Sequence, residues 1–148
     1  MKICIDTAIL IDILKDESRP FQEIFYSALS ARETLMIPAV VFAELLPQFR
    51  GDAKQAASFL ADHRIQVESL DLDGATIAGR RWIQYLTRKA KAKCPGCGCL
   101  LSQREHLLSD FYVGGFALSR CDAILTRDRG IYKRYFPELK GYGNCLKG

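Results

Sequence analysis

Four acidic residues each stand at the end of a strand-like run or at the start or inner face of a helix that follows one. Asp6 follows KICI, Glu44 lies within VVFAELL, Asp110 opens DFYV, and Asp128 closes AILTRD. Two carboxylates about 4 Å apart repel by roughly 4 kcal/mol at an effective dielectric near 20, so a cluster of them raises its own pKa values or recruits a cation. Hard oxygen donors with no histidine among them suit Mg2+ or Mn2+ better than zinc. One or two such ions, still carrying water, generate a nucleophile, polarise a phosphate and stabilise the departing oxygen, which is the chemistry of phosphodiester hydrolysis. Plainer readings stand beside this one. Asp6 and Thr7 are residue types that cap helices in any protein, and Glu44 could face solvent on a narrow polar stripe instead of a cation-holding cleft.

Whether the acids can meet depends on the elements that carry them. Lys2 to Ile5 reads as a strand, followed by a helix with Ile9, Leu10, Ile13 and Leu14 at helical spacing. Pro20 to Arg32 predicts a second helix, with Phe21, Ile24, Phe25, Ala28 and Leu29 on one face. Leu35 to Ile37 is the next strand. Pro38 then fits the first turn of a helix whose Val41, Leu45 and Gln48 trace one side, and Pro47 bends or ends it. Ala53 to His63 is amphipathic, Ile65 to Leu70 alternates like a strand, and Leu72 to Ala90 predicts a long helix turning Ile77, Trp82 or Ile83, and Leu86 inward. Asp110 opens one more helix, Ala123 to Leu125 is a short buried strand, and Thr126 and Asp128 follow at its C-terminal end.

Strands alternating with helices predict a parallel or mostly parallel sheet covered on both faces, in a single domain over residues 1–148. Ligands in such sheets are held beyond the carboxyl ends of the strands. Three of the acids come to that edge if the strands are parallel, and a docked helix can add the fourth. Asp122 competes with Asp128, but its place before the strand puts it at the opposite edge.

Composition narrows the class. The 148 residues, 49% hydrophobic and 26% charged, suffice for one continuous core. No apolar run approaches the roughly 20 residues that cross a bilayer, and an acid interrupts the N-terminus before a signal-type core could develop, so a soluble, cytoplasmic protein is expected. The net charge of +4 is mild. The basic residues are grouped, however: Arg80, Arg81, Arg88, Lys89, Lys91 and Lys93 in one segment, and Arg120, Arg127, Arg129, Lys133 and Arg134 in another beside the acids. Brought around the acids they would form a rim that attracts phosphates; the alternative is a solvated helix face. Among the 6 cysteines, Cys4 and Cys121 lie in apolar runs, Cys145 is in the tail, and Cys94, Cys97 and Cys99 cluster within KCPGCGC. This cluster sits in a Lys, Cys and Gly-rich insertion over residues 89–103. Its spacing is that of a zinc knuckle, in which Cys94, Cys97 and Cys99 would be ligands and His106 the fourth; the alternatives are reduced thiols in a loop and a His106 that borders the acids.

Ala8 stands where aspartyl-phosphate phosphatases of the haloacid dehalogenase type carry a second Asp, two residues after the first, which demotes that class. The motifs CIDTAILIDIL, PAVVFAELL, SDFYVGGFAL and AILTRDRGIY, in this order, resemble the PIN-domain ribonucleases, and within them the VapC-like toxins of toxin–antitoxin pairs. The resemblance implies a three-layer α/β/α fold and metal-dependent cleavage of RNA with Mg2+ or Mn2+. It implies that Asp6, Glu44, Asp110 and Asp128 are the metal-binding catalytic acids, with Thr7 and Thr126 as orienting neighbours and Arg127 and Arg129 against the RNA. It also implies a homodimer blocked by a small antitoxin protein. A PIN-like binding module without turnover and a small metal-dependent DNA nuclease are the competing readings.

Overall fold

The strands among the described residues are short, and all but the edge strand Ile65–Glu68, which is more exposed, gain their stability from burial. In the computed structural model, which describes residues 1–91, 94–99 and 106–147, the order is β1 (Lys2–Ile5), α1 (Thr7–Lys15), α2 (Arg19–Ser30), β2 (Thr34–Pro38), α3 (Ala39–Leu45), α4 (Ala53–Asp62), β3 (Ile65–Glu68), α5 (Leu72–Lys91), α6 (Leu108–Arg120), β4 (Ala123–Leu125) and α7 (Arg129–Tyr135). Short 3-10 turns follow α3 at Leu46–Phe49 and α7 at Tyr142–Asn144. The 89–103 insertion begins as the last turn of α5, and residues 92–93 and 100–105 within and beyond it lie outside the described residues.

The sheet order is β3-β2-β1-β4 and every pairing is parallel, so the fold is a three-layer α/β/α arrangement. From β1 the chain steps outward through β2 to β3, then returns to the other side of β1 with β4. That reversal makes the gap between the ends of β1 and β4 a topological switch point, where parallel sheets open a crevice. Ile3, Cys4, Ile5, Ile124 and Leu125 are wholly buried there. The outer edge of β4 is covered by the chain's end: the Ile124 amide donates to the Lys140 carbonyl at 2.9 Å and the Cys145 thiol to the Ile124 carbonyl at 3.2 Å. Cys145, expected only as a tail residue, is therefore part of the core.

α6 lies on β1, β2 and β4, and α5 packs along it. The inward face of α5 differs in part from the one expected, with Ile77 packed against the core as expected. Ile83 and Leu86 are exposed, while Gly74, Ala78 and Tyr85 are buried and Trp82 packs against the core. The reason is the close approach of the two helices. A Cβ at Gly115 would fall 2.3 Å from the Gly74 carbonyl oxygen; the adjacent Gly114 instead makes room for Phe136, whose ring a Cβ there would meet at 2.4 Å. Small residues on α5 serve this contact, and large apolar ones would hold α6 away. Pro38, expected in the first turn of α3, is the last residue of β2, and Pro47 ends α3 by converting it to the 3-10 turn. The apolar face Phe21 to Leu29 of α2 is spent on the chain's own core, with Phe25 and Ala28 buried and Phe21, Ile24 and Leu29 packed beside them.

Candidate functional site

The register of β1 and β4 places Ile5 opposite Leu125, so the next residues, Asp6 and Thr126, leave the sheet side by side. The Asp6 amide donates to the Leu125 carbonyl at 3.0 Å, extending the pairing by one step. Asp6 holds the N-cap position of α1, yet its side chain makes no capping hydrogen bond there. It accepts the Thr126 hydroxyl at 2.6 Å instead, and the same Thr126 oxygen accepts the Asp128 amide at 3.0 Å. One buried hydroxyl thus fixes the carboxylate that follows β1 and the backbone of the loop after β4.

The other acids arrive on helices. α3 begins directly after β2 and carries Glu44, whose carboxylate accepts the Thr7 hydroxyl from α1. α6 carries Asp110 in its first turn, where Asp110 Oδ2 accepts the Leu107 amide at 2.8 Å. This is half of a capping box, because Leu107 has no side-chain acceptor to complete the other half. α3 and α6 touch. Asp6, Thr7, Ala8, Ile11, Glu44, Asp110, Arg127 and Asp128 line one cleft of about 590 Å³. Asp122 lies at the far edge of the sheet, its carboxylate taking the Lys2 amide at 2.7 Å.

The electrostatics follow from burial and like charge. Burial, with Asp110 and Asp128 nearby, pushes the Asp6 carboxyl up to about 6, against lowering by the Thr126 hydroxyl and the Thr7 amide. Asp110 is also raised, chiefly by burial and further by Glu44 and Asp128, while the Leu107 amide and His106 oppose the shift. Beneath them the buried Tyr132 hydroxyl is held well above its usual range by burial and by the same acids. Apart from the Arg127 guanidinium the polar side chains of this pocket offer oxygen, and its acids leave it with surplus negative charge, the donor chemistry of a hard divalent ion. Among the described residues, no group of three or more His, Cys, Asp or Glu side chains is gathered tightly enough to hold a metal ion.

A second cavity of about 650 Å³ adjoins the first and shares Asp128 with it; Arg88, His106, Arg129, Gly130, Lys133 and Arg134 complete its lining. Arg88 also stacks over Tyr135, 5.4 Å from the ring centroid. The basic residues therefore divide. Arg120 pairs with Glu68 at 2.7 Å and Arg81 with Glu138 at 2.5 Å, so both are engaged in structural contacts. Lys93 and the side chain of Lys91 lie outside the described residues.

Cys94, Cys97 and Cys99 share one exposed turn, closed by the Cys94 amide on the Cys99 carbonyl at 2.7 Å and the Gly98 amide on the Cys94 carbonyl at 2.9 Å. The Cys97 thiol is lowered by hydrogen bonds with Cys99 and Cys94. His106 stands with other partners: its ring is edge-on to Tyr85 at 5.6 Å, and Nδ1 is 4.0 Å from Asp110 Oδ2. Asp12 was not singled out by the sequence reading. It is wholly buried and lies 3.1 Å from Arg127. The signal was an acid three residues after Ile9, on the inward side of α1.

Among solved structures, a chain of the VapBC2 complex of Rickettsia felis, crystallised bound to a DNA fragment from the promoter of its own genes, matches with a TM-score of 0.65 and 15% identity. The match covers 94% of this chain and 96% of that one. At that identity the likeness is one of fold. A search of curated proteins finds no match by sequence. The PIN domain model matches residues 3–137, a span from the buried part of β1 through α7 that contains every acid of the cleft, and the chain belongs to the PIN domain family.

Proposed function

We propose that this chain is a metal-dependent endoribonuclease of the VapC type. PIN domains are generally nucleases and generally use divalent metal ions. The observation that carries the reading for this chain is the convergence of Asp6, Glu44, Asp110 and Asp128 from four separate elements on one cleft. Fewer than three of these carboxylates gather around any one point among the described residues, so Mg2+ or Mn2+ would be held by one or two of them with water completing its shell, and the ion when bound would lower the pKa of a water and polarise the scissile phosphate. Thr126 keeps Asp6 and the Asp128 backbone in register, and Thr7 fixes Glu44. The adjoining cavity of Arg88, Arg129, Lys133 and Arg134 would receive phosphates on one side of the cut.

The test is degradation of a defined RNA with Mn2+, beside the same sequence as DNA and an Asp110→Asn control. Cleavage of RNA by the parent alone supports the reading. Equal cleavage by the control overturns the site, preference for DNA assigns a DNA nuclease, and RNA binding without turnover assigns a binding module. A small antitoxin that blocks the cleft and a homodimer belong to the same proposal, in a soluble protein of the cytoplasm. The antitoxin is supported by the VapBC2 likeness. Among the described residues no helix is long and apolar enough to cross a membrane. Coexpression with a neighbouring small gene product, followed by sedimentation of the free and bound protein, measures both assemblies.

A further inference from the structure

Asp12 lies on α1 and is wholly buried. Neither of its carboxylate oxygens accepts a hydrogen bond among the described residues. A carboxylate taken out of water without compensation is unfavourable enough that it needs a cation close by. The cation is Arg127, whose Nη1 is 3.1 Å from Asp12 Oδ1 and 3.4 Å from Ser18 Oγ. Arg127 keeps 44% of its side chain exposed and lines the acidic cleft. One edge of the guanidinium is thus anchored in the protein and the remainder belongs to the cleft.

This anchoring solves a specific problem. A guanidinium is charged at every working pH and pairs readily with carboxylates. Arg127 follows Thr126 directly, precedes Asp128, and shares its cleft with Asp6, Glu44 and Asp110. Left unrestrained, it would fold onto those acids, neutralise them, and be lost to any anionic ligand. The Asp12 carboxylate, buried on the other side, offers the competing partner that holds it back.

We infer that Asp12 is a positioning residue, which restrains Arg127 at the lip of the acidic cleft so that its free N–H groups take a backbone phosphate of the substrate strand. The assignment rests on the nuclease reading of the cleft. Its signature is a sign. Asp12→Asn makes the protein more positive, so overall electrostatics alone would tighten RNA binding; loss of positioning weakens it.

The experiment measures anisotropy of a labelled single-stranded RNA in EDTA, together with kcat and KM for Mn2+-dependent cleavage. Asp12→Asn is expected to raise Kd and KM roughly tenfold, the loss of one charge-assisted contact, with kcat nearly unchanged. The slope of log Kd against log salt should fall by about 0.7, one phosphate contact on a single strand. Asp12→Asn/Arg127→Gln should bind no more weakly than Arg127→Gln alone. Arg127→Lys keeps the charge and its pairing with Asp12, but a point charge cannot bridge carboxylate and phosphate as the planar fork does, so it too should lose about tenfold. This variant carries the test if Asp12→Asn does not fold. Parent-like or tighter binding by Asp12→Asn, parent-like binding by Arg127→Lys, or a further loss in the double variant overturns the inference. A parent that binds RNA but does not cut it removes the nuclease reading and leaves the binding arms to decide on Asp12.

Discussion

The acidic cleft and the cysteine turn are both groups of metal-ligand residue types, and they are built in opposite ways. The turn is local: residues 94–99 close on themselves through two backbone hydrogen bonds, and Cys97 and Cys99 are exposed. The cleft joins β1 to the loop after β4 across 120 residues of sequence through one buried hydroxyl, and takes its other carboxylates from α3 and α6. A local turn can be altered without consulting the core. The cleft exists only because the sheet, the α5/α6 contact and the crevice at β1/β4 are all in place. Its acids are consequently partly desolvated and shifted upward chiefly by burial, whereas in the exposed turn the thiols shift mainly through hydrogen bonds to one another, Cys97 down and Cys99 up.

The largest effect should come from removing a cleft carboxylate. Asp110→Asn keeps an acceptor for the Leu107 amide, so α6 should start as before. Metal-dependent RNA cleavage is expected to fall by at least about 100-fold, since even outer-shell partners of a metal site contribute 10–100-fold. Steady-state cleavage rates at saturating Mn2+ measure it, and a loss under twofold would take Asp110 out of the site.

Asp6 exposes the energetic side of the contrast. Its ordinary value of 3.8 is raised to about 6 in the folded chain. Well below pH 3.8 the carboxyl is protonated in both states and has no effect. As pH rises toward 6 the unfolded chain ionises while the folded one retains its proton, so stability falls. Above 6 the folded form ionises too and the loss levels off at on the order of 3 kcal/mol. In EDTA at pH 7 to 8, Asp6→Asn should therefore melt higher than the parent, because Asn still accepts the Thr126 hydroxyl without a charge. The gain should shrink to a small fraction of that near pH 4. Melting curves at the two pH values decide it, and a variant that is less stable at pH 7 contradicts the burial argument.

Packing links this site to residues that touch none of the acids. Gly115→Ala forces α5 and α6 apart at the Gly74 carbonyl, with an expected loss of about 1–3 kcal/mol in urea unfolding. A neutral result would mean that the helices yield easily. This contact also marks the limit of what the sequence disclosed. The strands, the order of elements and the acids were legible because hydrophobic period and residue type are local signals. The inward face of α5 was legible only in part: Ile77 and Trp82 do pack on the core, but Ile83 and Leu86 look more like core than Gly74 and Ala78 until Gly115 on α6 is known to face them. Asp12 was hidden for a similar reason: nothing near it in sequence announces a cation that arrives from residue 127.

The smallest effect should come from the turn. Replacing Cys94, Cys97 and Cys99 together by Ser removes thiols whose hydrogen bonds, among the described residues, stay within the turn, and surface changes of this kind usually stay within about 0.5 kcal/mol. The melting temperature and the RNA cleavage rate should be close to those of the parent. If the turn takes up zinc, as the spacing suggests, the metal should disappear from the triple variant and persist in His106→Gln, because His106 is engaged with Tyr85 and Asp110. Metal analysis with thiol titration separates the cases. A parent with no zinc and three titratable thiols removes the metal from the turn, and a triple variant that loses cleavage would show that the two regions are coupled after all.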